Sequence, residues 1–141
     1  MKEFVGVVVA SQEGKILCQL RDDIPEIIFP GLWTCSPGGT VEAGEFPADA
    51  AIREMREEFE IEIDNVQLLT GFELKNKFPG KYYIFSAQLR SLEKNLRCNE
   101  GQQADFFFPE EVFKLRQHPI SLSILKKYLA NPNPSDDQVT K

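Results

Sequence analysis

Three carboxylates could share one face of a short predicted helix. Glu54, Glu57 and Glu58 stand at positions i, i+3 and i+4, which places them within about 100° of one another around a helix axis. Like charges at this spacing repel one another and weaken a helix. A hard divalent cation would relieve the repulsion, because Mg²⁺ prefers oxygen ligands from a few carboxylates together with water and phosphate. Alternatively, the three form a solvated acidic face that Arg53 and Arg56 partly neutralise.

The residues around these glutamates form a longer pattern with defined spacing. It runs Gly39-x5-Glu45-x7-Arg53-Glu54-Met55-Arg56-Glu57-Glu58-Phe59-Glu60-Ile61. This pattern resembles the Nudix box of the Nudix (MutT-like) nucleotide diphosphate hydrolases, Gly-x5-Glu-x7-Arg-Glu-U-x-Glu-Glu-x-Gly-U, in which U is a bulky apolar residue. Eight of its nine defined positions match over 23 residues, which is far more specific than a lone glycine motif.

The resemblance implies a metal site. The side chains of Glu54, Glu57 and Glu58 would bind Mg²⁺ or Mn²⁺. The backbone carbonyl of Gly38 or Gly39 would lie near the same ion.

The resemblance also implies supporting and catalytic residues. Glu45 and Arg53 would hold the loop and the helix together, Arg53 by pairing with carboxylates of the box. The general base that activates water varies within the family, so Glu54, Glu57 and Glu100 all remain candidates. Glu100 matches a later acidic position of similar proteins, and its alternative is to be an ordinary loop glutamate.

The chemistry implied is hydrolysis of a phosphoric anhydride. Metal ions neutralise the diphosphate oxygens, orient the water and stabilise the leaving phosphate, and a carboxylate removes the proton of the water. Attack at one phosphorus would release a nucleoside monophosphate and a phosphorylated group, or pyrophosphate from a nucleoside triphosphate. No covalent nucleophile is needed. His118 precedes Pro119, which favours a surface or helix-start role over catalysis.

One position departs from the pattern. Glu60 stands where the family has glycine, and that glycine would end the helix in a left-handed conformation that costs another residue roughly 1 kcal/mol. Because no ligand is expected here, the substitution affects the local turn more than the metal site. It also keeps open a second function, a Nudix-fold nucleotide-binding or regulatory module with little turnover.

Side chains outside the box would contact the rest of the substrate. Arg21, at the end of a predicted strand, could reach a phosphate, and its alternative is pairing with a neighbouring aspartate or free solvation. Aromatic faces suit any nucleobase, although packing is their commoner use. The candidates for stacking are Phe29, Trp33, Phe78, Tyr82 and Tyr83. No sequence feature distinguishes among ADP-ribose, dinucleoside polyphosphates, sugar nucleotides and oxidised triphosphates.

The surrounding pattern predicts the elements that position these residues. Pro47 suits a first helical position, and Ala48, Ile52, Met55 and Phe59 recur at helical spacing, so a helix is predicted over 47–59 with this stripe in the core. Apolar and β-branched runs predict strands over 4–10, 16–20, 34–36, 40–43, 61–74, 82–89 and 104–108, with a turn at 37–39. Short helices are predicted over 109–115 and 120–129.

Composition narrows the class of protein. The 141 residues fit one domain, predicted over 1–130, followed by a loose tail over 131–141. A net charge of −6 disfavours binding to a nucleic acid polymer or an anionic membrane, but a bound cation could still attract a small anion.

Three widely spaced cysteines indicate reduced thiols. The N-terminal apolar run is too short for a membrane span and lacks leader features, so a cytoplasmic protein is expected.

These observations predict an α/β fold. The resemblance implies a Nudix-type α/β/α sandwich, a mixed β-sheet with the box helix on one face and the C-terminal helix on the other. It further implies a metal-dependent diphosphatase that acts on a small-molecule nucleotide, and similar proteins are often homodimers. A third interpretation, an acidic interaction surface without a ligand, requires the glycine and arginine matches to be accidental.

Overall fold

The computed structural model of the chain describes residues 1–75 and 77–131. Its strands are β1 (Glu3–Ala10), β2 (Ile16–Leu20), β3 (Trp33–Thr34), β4 (Gly38–Thr40), β5 (Ile63–Leu74), β6 (Gly80–Leu89) and β7 (Gln103–Phe107). Its α-helices are α1 (Pro47–Phe59), α2 (Pro109–Val112) and α3 (Pro119–Ala130), and a 3-10 turn spans Glu93–Asn95.

Across the described residues, seven strands form one mixed sheet. The order is β3-β2-β1-β6-β5, with β4 paired to β1 and β7 paired to β2. Strands β1 and β6 run parallel, and the other pairs are antiparallel. Strand β1 meets β2 at Ala10 and meets β4 at its other end. The sheet therefore divides along this edge of β1.

Alternating side chains of β1 show that the two helical layers lie on opposite faces of the sheet. Successive residues of a strand point to opposite faces. Val7 and Val9 pack in the core cluster that contains Met55 of α1, whereas Val8 packs in the cluster that contains Leu125 of α3. The expected α/β/α sandwich is confirmed.

Helix α1 has the predicted bounds and the predicted core face. Pro47 lies in its first turn, where the missing N–H of proline has no helical partner to lose. Met55 and Phe59 are fully buried, and Ala48 and Ile52 pack against the same cluster. This apolar stripe fixes the rotation of the helix and so decides which way its carboxylates point.

Glu60 ends α1 in the left-handed conformation expected of the family glycine. Its φ and ψ are 55° and 39°. The amide of Glu60 donates to the carbonyl of Arg56 at 3.1 Å, and that of Ile61 donates to Met55 at 3.4 Å. These bonds satisfy helix-end carbonyls as in a Schellman motif. The turn therefore forms with glutamate in place of glycine.

The two glycines before α1 lie in a strand. Gly38 pairs with Gly6 and Gly39 pairs with Val5, so the prediction of a turn at 37–39 followed by a strand at 40–43 is wrong. A Cβ at Gly38 would overlap the carbonyl of Val5. Here glycine permits a close approach of two strands, whereas the sequence pattern suggested its other common use, the turn.

Other boundaries differ by a few residues from those predicted. Strand β3 covers Trp33–Thr34, β5 begins at Ile63 because Ile61 still belongs to the turn after α1, and α2 ends at Val112. The predicted tail, apart from Asn131, lies outside the described residues. No helix in the described part of the chain is long and apolar enough to cross a membrane.

Candidate active site

A cavity of about 1060 Å³ opens beside the division in the sheet. Its walls include residues of β1, β3, β4, β5, β6, α1 and α3, and of the loops that precede β3, β6 and β7. Small-molecule sites commonly measure about 300–1,000 Å³, so the cavity has room for a nucleotide. Its acidic end contains Glu54, Glu58 and Glu100, and Arg21 lies beside them.

Helix α1 contributes two buried carboxylates to this end. Glu54 and Glu58 are one turn apart, and only 8% and 5% of their surfaces are exposed. The carboxyl of Glu58 contacts those of Glu100 and Glu54. Its Oε2 is buried, and within residues 1–75 and 77–131 it has no hydrogen-bond partner. An acceptor left in this state carries the full cost of its desolvation.

Burial and mutual repulsion perturb these groups. Burial, followed by the neighbouring Glu100 and Glu54, raises the pKa of Glu58 well above its ordinary value. Burial also raises the pKa of Glu54, although Arg53 opposes the rise. A cluster of buried carboxylates disfavours full ionisation unless positive charge is supplied. This is the electrostatic environment expected of a cation-binding or acid–base site.

Gly39 brings its backbone against the Glu54 carboxylate. A Cβ at this position would lie 2.5 Å from Cδ and Oε1 of Glu54. The main chain of β4 and the carboxylate of α1 thus meet without an intervening side chain. Gly38 also lines the cavity. Gly39 therefore contacts a carboxylate of the box, and Gly38 lies on the same cavity wall.

Arg53 organises the loop before α1 and two carboxylates of the helix. It bonds to Glu45 through Nε at 2.8 Å and Nη2 at 2.9 Å. Its Nη1 lies 3.0 Å from Oε1 of Glu54 and 3.2 Å from Oε2 of Glu57. Hydrogen bonds from Arg53 and the backbone of Glu42 lower the pKa of Glu45 to about 2. Arg53 therefore joins the loop before α1 to two carboxylates of the helix.

Glu57 lies apart from the other two box glutamates. Its side chain is 59% exposed and pairs with Arg53, and it is absent from the cavity wall. Within the described residues, no three carboxylate, histidine or cysteine side chains converge closely enough to hold a metal ion as they stand. The sequence placed all three glutamates on one helical face, but the pairing with Arg53 draws Glu57 to one side.

Glu100 is positioned by a loop that is tied to α1 and β2. The side-chain amide of Asn99 donates to the carbonyl oxygen of Glu57 at 2.9 Å. The backbone N–H of Asn99 donates to the carbonyl oxygen of Glu58 at 2.8 Å. The side chain of Gln19 donates to the carbonyl of Glu100 at 2.8 Å. Sequence reasoning missed Asn99 and Gln19 as supports. The one sequence feature that indicated a supporting role for Asn99 is its position next to Glu100.

The aromatic candidates divide between two locations. Phe29, Phe78 and Tyr82 line the cavity, as do Phe4 and Phe72, which the sequence did not single out. The rings of Phe4, Tyr82 and Phe72 stack in series, with centroids 4.7 and 5.2 Å apart. The hydroxyl of Tyr82 donates to the carbonyl of Phe78 at 3.0 Å. This series forms one wall of the cavity.

Trp33 and Tyr83 do not line the cavity, in contrast to the prediction. Tyr83 follows Tyr82 in β6 and therefore points to the opposite face, where its hydroxyl donates to Glu3 at 2.9 Å. Trp33 packs edge-on against Phe107, with ring centroids 5.3 Å apart. Both rings have structural contacts that remove them from the candidate site.

Comparisons with a family model and with known sequences indicate the same protein family. The model of the NUDIX domain family matches residues 3–128. A Nudix hydrolase of Pseudomonas aeruginosa, itself uncharacterized, is 34% identical over 119 residues, which cover 80% of this chain and 69% of that protein. The RNA pyrophosphohydrolase of Gluconacetobacter diazotrophicus is 40% identical over 57 residues, 38% of this chain and 34% of that enzyme. The match thus spans about a third of the second relative.

The same family appears among solved structures. The crystal structure of a NUDIX hydrolase from Nitrosomonas europaea superposes with a TM-score of 0.76 at 25% sequence identity. The superposition covers 92% of this chain and 70% of that one. The similarity therefore extends over most of the fold described above.

Proposed function

Because this chain belongs to the Nudix hydrolase family, we propose that it is a metal-dependent enzyme that cleaves the diphosphate linkage of a nucleoside diphosphate joined to another group. The joined group would be a further phosphate, as in a nucleoside triphosphate, a sugar or a similar substituent. The observation that carries this proposal is the meeting of Glu54, Glu58 and Glu100 at one end of a nucleotide-sized cavity. Carboxylates that lie close together in this way can bind a cation and can accept a proton.

The donors at this end fit a divalent cation. Glu58 has a buried oxygen that lacks a partner within the described residues, and its contacts with Glu54 and Glu100 are repulsive when all three are ionised. Oxygen donors are those that Mg²⁺ and Mn²⁺ prefer. We propose Glu54, Glu57 and Glu58 as the holders of Mg²⁺ or Mn²⁺, with Glu57 turning from Arg53 toward the ion.

Backbone carbonyls complete the proposed donor set. The carbonyl of Gly38 or Gly39 would lie beside the ion, since both glycines line the cavity. When bound, the cation would neutralise the diphosphate oxygens and favour departure of the phosphate. Side chains around the cation would accept the proton of the attacking water and bind the rest of the substrate.

The attacking water needs a carboxylate that can accept its proton. Glu100 and Glu54 both line the cavity and are candidates by position. Glu57 is the third candidate, and it would first have to leave Arg53. Positioned general bases contribute about 10²- to 10⁴-fold to a rate. Each of the three carboxylates can therefore be replaced separately by its amide, and the loss of rate in each variant ranks them as candidates for the general base.

Arg21 and the aromatic wall are proposed to bind the substrate. Burial lowers the pKa of the Arg21 guanidinium, and the nearby carboxylates of Glu58 and Glu100 oppose that effect. A guanidinium stays protonated in proteins and suits phosphate oxygens. Phe78 and Tyr82 lie on the cavity wall, where a nucleobase would contact their rings.

A hydrolysis screen tests the proposal. The chain is incubated with Mg²⁺ and nucleoside triphosphates, sugar nucleotides, ADP-ribose or dinucleoside polyphosphates, and phosphorus-containing products are identified. We expect one class to be hydrolysed, and Glu57→Gln or Glu58→Gln to slow that reaction about 100-fold or more, equivalent to about 2.7 kcal/mol of transition-state stabilisation. Glu62→Gln is the matched control, because Glu62 pairs with Arg56 outside the cavity.

The alternative function makes a different prediction in the same screen. A nucleotide-binding or regulatory module would bind a member of the panel without turnover. The hydrolase is favoured because Glu60 preserves the left-handed helix end, so the one departure from the box leaves the end of α1 in the conformation expected of the family glycine. Turnover that survives Glu58→Gln would contradict the proposed site.

Location and assembly are further proposals. The acidic composition and widely spaced cysteines support a cytoplasmic protein without a nucleic acid polymer or membrane as partner. The family resemblance supports a homodimer. A single domain over residues 1–130 is also retained as a prediction.

A further inference from the structure

Arg21 reaches the acidic end of the cavity from the end of β2, and a backbone carbonyl holds its side chain. Its Nε donates a hydrogen bond of 2.7 Å to the carbonyl oxygen of Ile28. Within residues 1–75 and 77–131, this is the one hydrogen bond that the guanidinium makes. Both Nη groups are therefore left for another acceptor. A guanidinium fixed in this way presents a planar pair of donors to phosphate oxygens.

The position of the Ile28 carbonyl depends on an unfavourable turn. Phe29 has a φ of 55°, a left-handed conformation that a bulky side chain rarely adopts. The amide of Leu32 donates to the carbonyl of Phe29 at 3.3 Å. Such a conformation persists when surrounding contacts hold it.

A second contact of this turn joins it to α3. The Phe29 ring stacks on the imidazole of His118, with centroids 4.2 Å apart and planes 23° apart. His118 is fixed in turn, because its Nδ1 accepts a hydrogen bond of 3.0 Å from the amide of Ile120 at the start of the helix. The stack therefore connects the loop that carries Arg21 to a rigid element distant in sequence.

We propose that Phe29 is a positioning residue for substrate binding: by stacking on His118 it holds the Ile28 carbonyl against Arg21 and so aims the Arg21 guanidinium at the phosphates of the bound nucleotide. This inference rests on the proposed function, because it assigns a role within the same site. It differs from direct stacking on a base, in which Phe29 would act independently of Arg21.

A double-mutant cycle distinguishes these roles. KM and kcat are measured for Phe29→Ala, Arg21→Ala and the double variant with the nucleotide that the screen identifies. We expect Arg21→Ala to raise KM about tenfold or more, as for a lost charged hydrogen bond, and Phe29→Ala to raise it about three- to tenfold with kcat little changed. In the Arg21→Ala background, the Phe29 substitution should have almost no further effect. Equal effects in both backgrounds would overturn the proposal.

Matched variants separate positioning from a general loss of folding. His118→Asn keeps a side-chain acceptor for the start of α3 but removes the ring, so it should raise KM as Phe29→Ala does. Phe29→Tyr keeps the stack and should retain the wild-type KM. Phe113→Ala makes the same truncation at an exposed ring outside the cavity and should change neither constant. A lower melting temperature with unchanged KM for Phe29→Ala would overturn the proposal.

Binding of pyrophosphate with Mg²⁺, measured by calorimetry, tests the inference without turnover. If no nucleotide is hydrolysed but Phe29→Ala weakens pyrophosphate binding only when Arg21 is present, the proposed function fails and the positioning role stands. If hydrolysis occurs and the two substitutions act independently, the function stands and the positioning role fails. An Arg21→Ala protein with unchanged KM and unchanged Kd would also overturn the inference.

Discussion

Arg53 and Glu45 form a two-point ion pair, with Nε 2.8 Å from Oε2 and Nη2 2.9 Å from Oε1. The planar fork of the guanidinium matches the carboxylate, which gives this pair direction as well as strength. The third nitrogen of the same guanidinium lies 3.0 Å from Glu54. One side chain therefore fixes both the loop before α1 and a carboxylate of the cavity.

Replacement of Arg53 by lysine should lower activity strongly. An ammonium group cannot make two parallel bonds to Glu45 and also reach Glu54. We expect a loss of about 1–3 kcal/mol of stability, since charged hydrogen bonds contribute on this scale, and at least a tenfold lower kcat/KM. The measurements are chemical unfolding and steady-state kinetics. Arg56→Lys is the control, because its pair with Glu62 is more exposed and solvent-exposed ion pairs contribute little to stability. Equal losses in the two variants would contradict this role for Arg53.

Glu58→Gln should stabilise the metal-free protein at neutral pH. Because its pKa is raised, the buried Glu58 carboxyl must hold at neutral pH a proton that the unfolded chain has released; the amide avoids this cost and can donate to the carboxylates of Glu54 or Glu100, which Glu58 contacts. The gain should be about 1–3 kcal/mol, the cost of an unsatisfied buried polar group. It is measured by thermal unfolding in the presence of a chelator. Glu57→Gln is the matched control and should change stability by less than about 0.5 kcal/mol, as for an exposed site.

The same substitution should alter the pH dependence of stability. The raised pKa of Glu58 means that the folded protein binds a proton that the unfolded chain has already released above the ordinary value of 4.5. Stability should therefore fall as pH rises from about 5 toward the folded pKa. This decline should be smaller in Glu58→Gln. Mg²⁺ should raise the Tm of the wild type more than that of the variant, by mass action. A variant less stable than the wild type at pH 8 would contradict this account.

Much of the fold and the box geometry could be predicted from the sequence. The apolar stripe of α1 fixed its rotation, and once Met55 and Phe59 faced the core, Glu54 and Glu58 had to project beside it. The pairing of Glu45 with Arg53 followed from the family pattern. These features depend on local spacing, which a helix converts directly into direction.

Features that depend on strand register or on tertiary pairing could not be predicted. Tyr82 and Tyr83 are equivalent as residue types, and the pairing of β6 with its neighbours decides which of them faces the cavity. Glu57 shares a helical face with the other glutamates, yet Arg53 holds it outside the cavity wall. Asn99 contacts α1 across a long stretch of sequence. Such contacts are set by the assembled fold.

The two adjacent glycines of β4 should respond differently to alanine. At Gly39 the new Cβ would meet the end of the flexible Glu54 side chain at 2.5 Å, which can move aside. At Gly38 it would overlap the backbone carbonyl of Val5, which cannot. Gly39→Ala should therefore lose most activity with about 1 kcal/mol or less of stability, whereas Gly38→Ala should lose about 2 kcal/mol or more, as for overpacking. Activity assays and urea unfolding of both variants check the contrast, and a fully active Gly39→Ala enzyme would show that the Glu54 position is unimportant.

Glu60→Gly should stabilise the end of α1. Glu60 adopts a φ of 55°, where glycine has no Cβ penalty, so the gain should be about 1 kcal/mol, reduced by loss of the exposed hydrogen bond from Asn99 at 3.1 Å. Asn65→Gly is the matched control: Asn65 has a φ of 54°, but asparagine tolerates this region, so its replacement should give little gain. Both are compared by thermal unfolding at the same pH. An Asn65→Gly gain equal to or greater than that of Glu60→Gly would show that the strain at residue 60 is already relieved by its contacts.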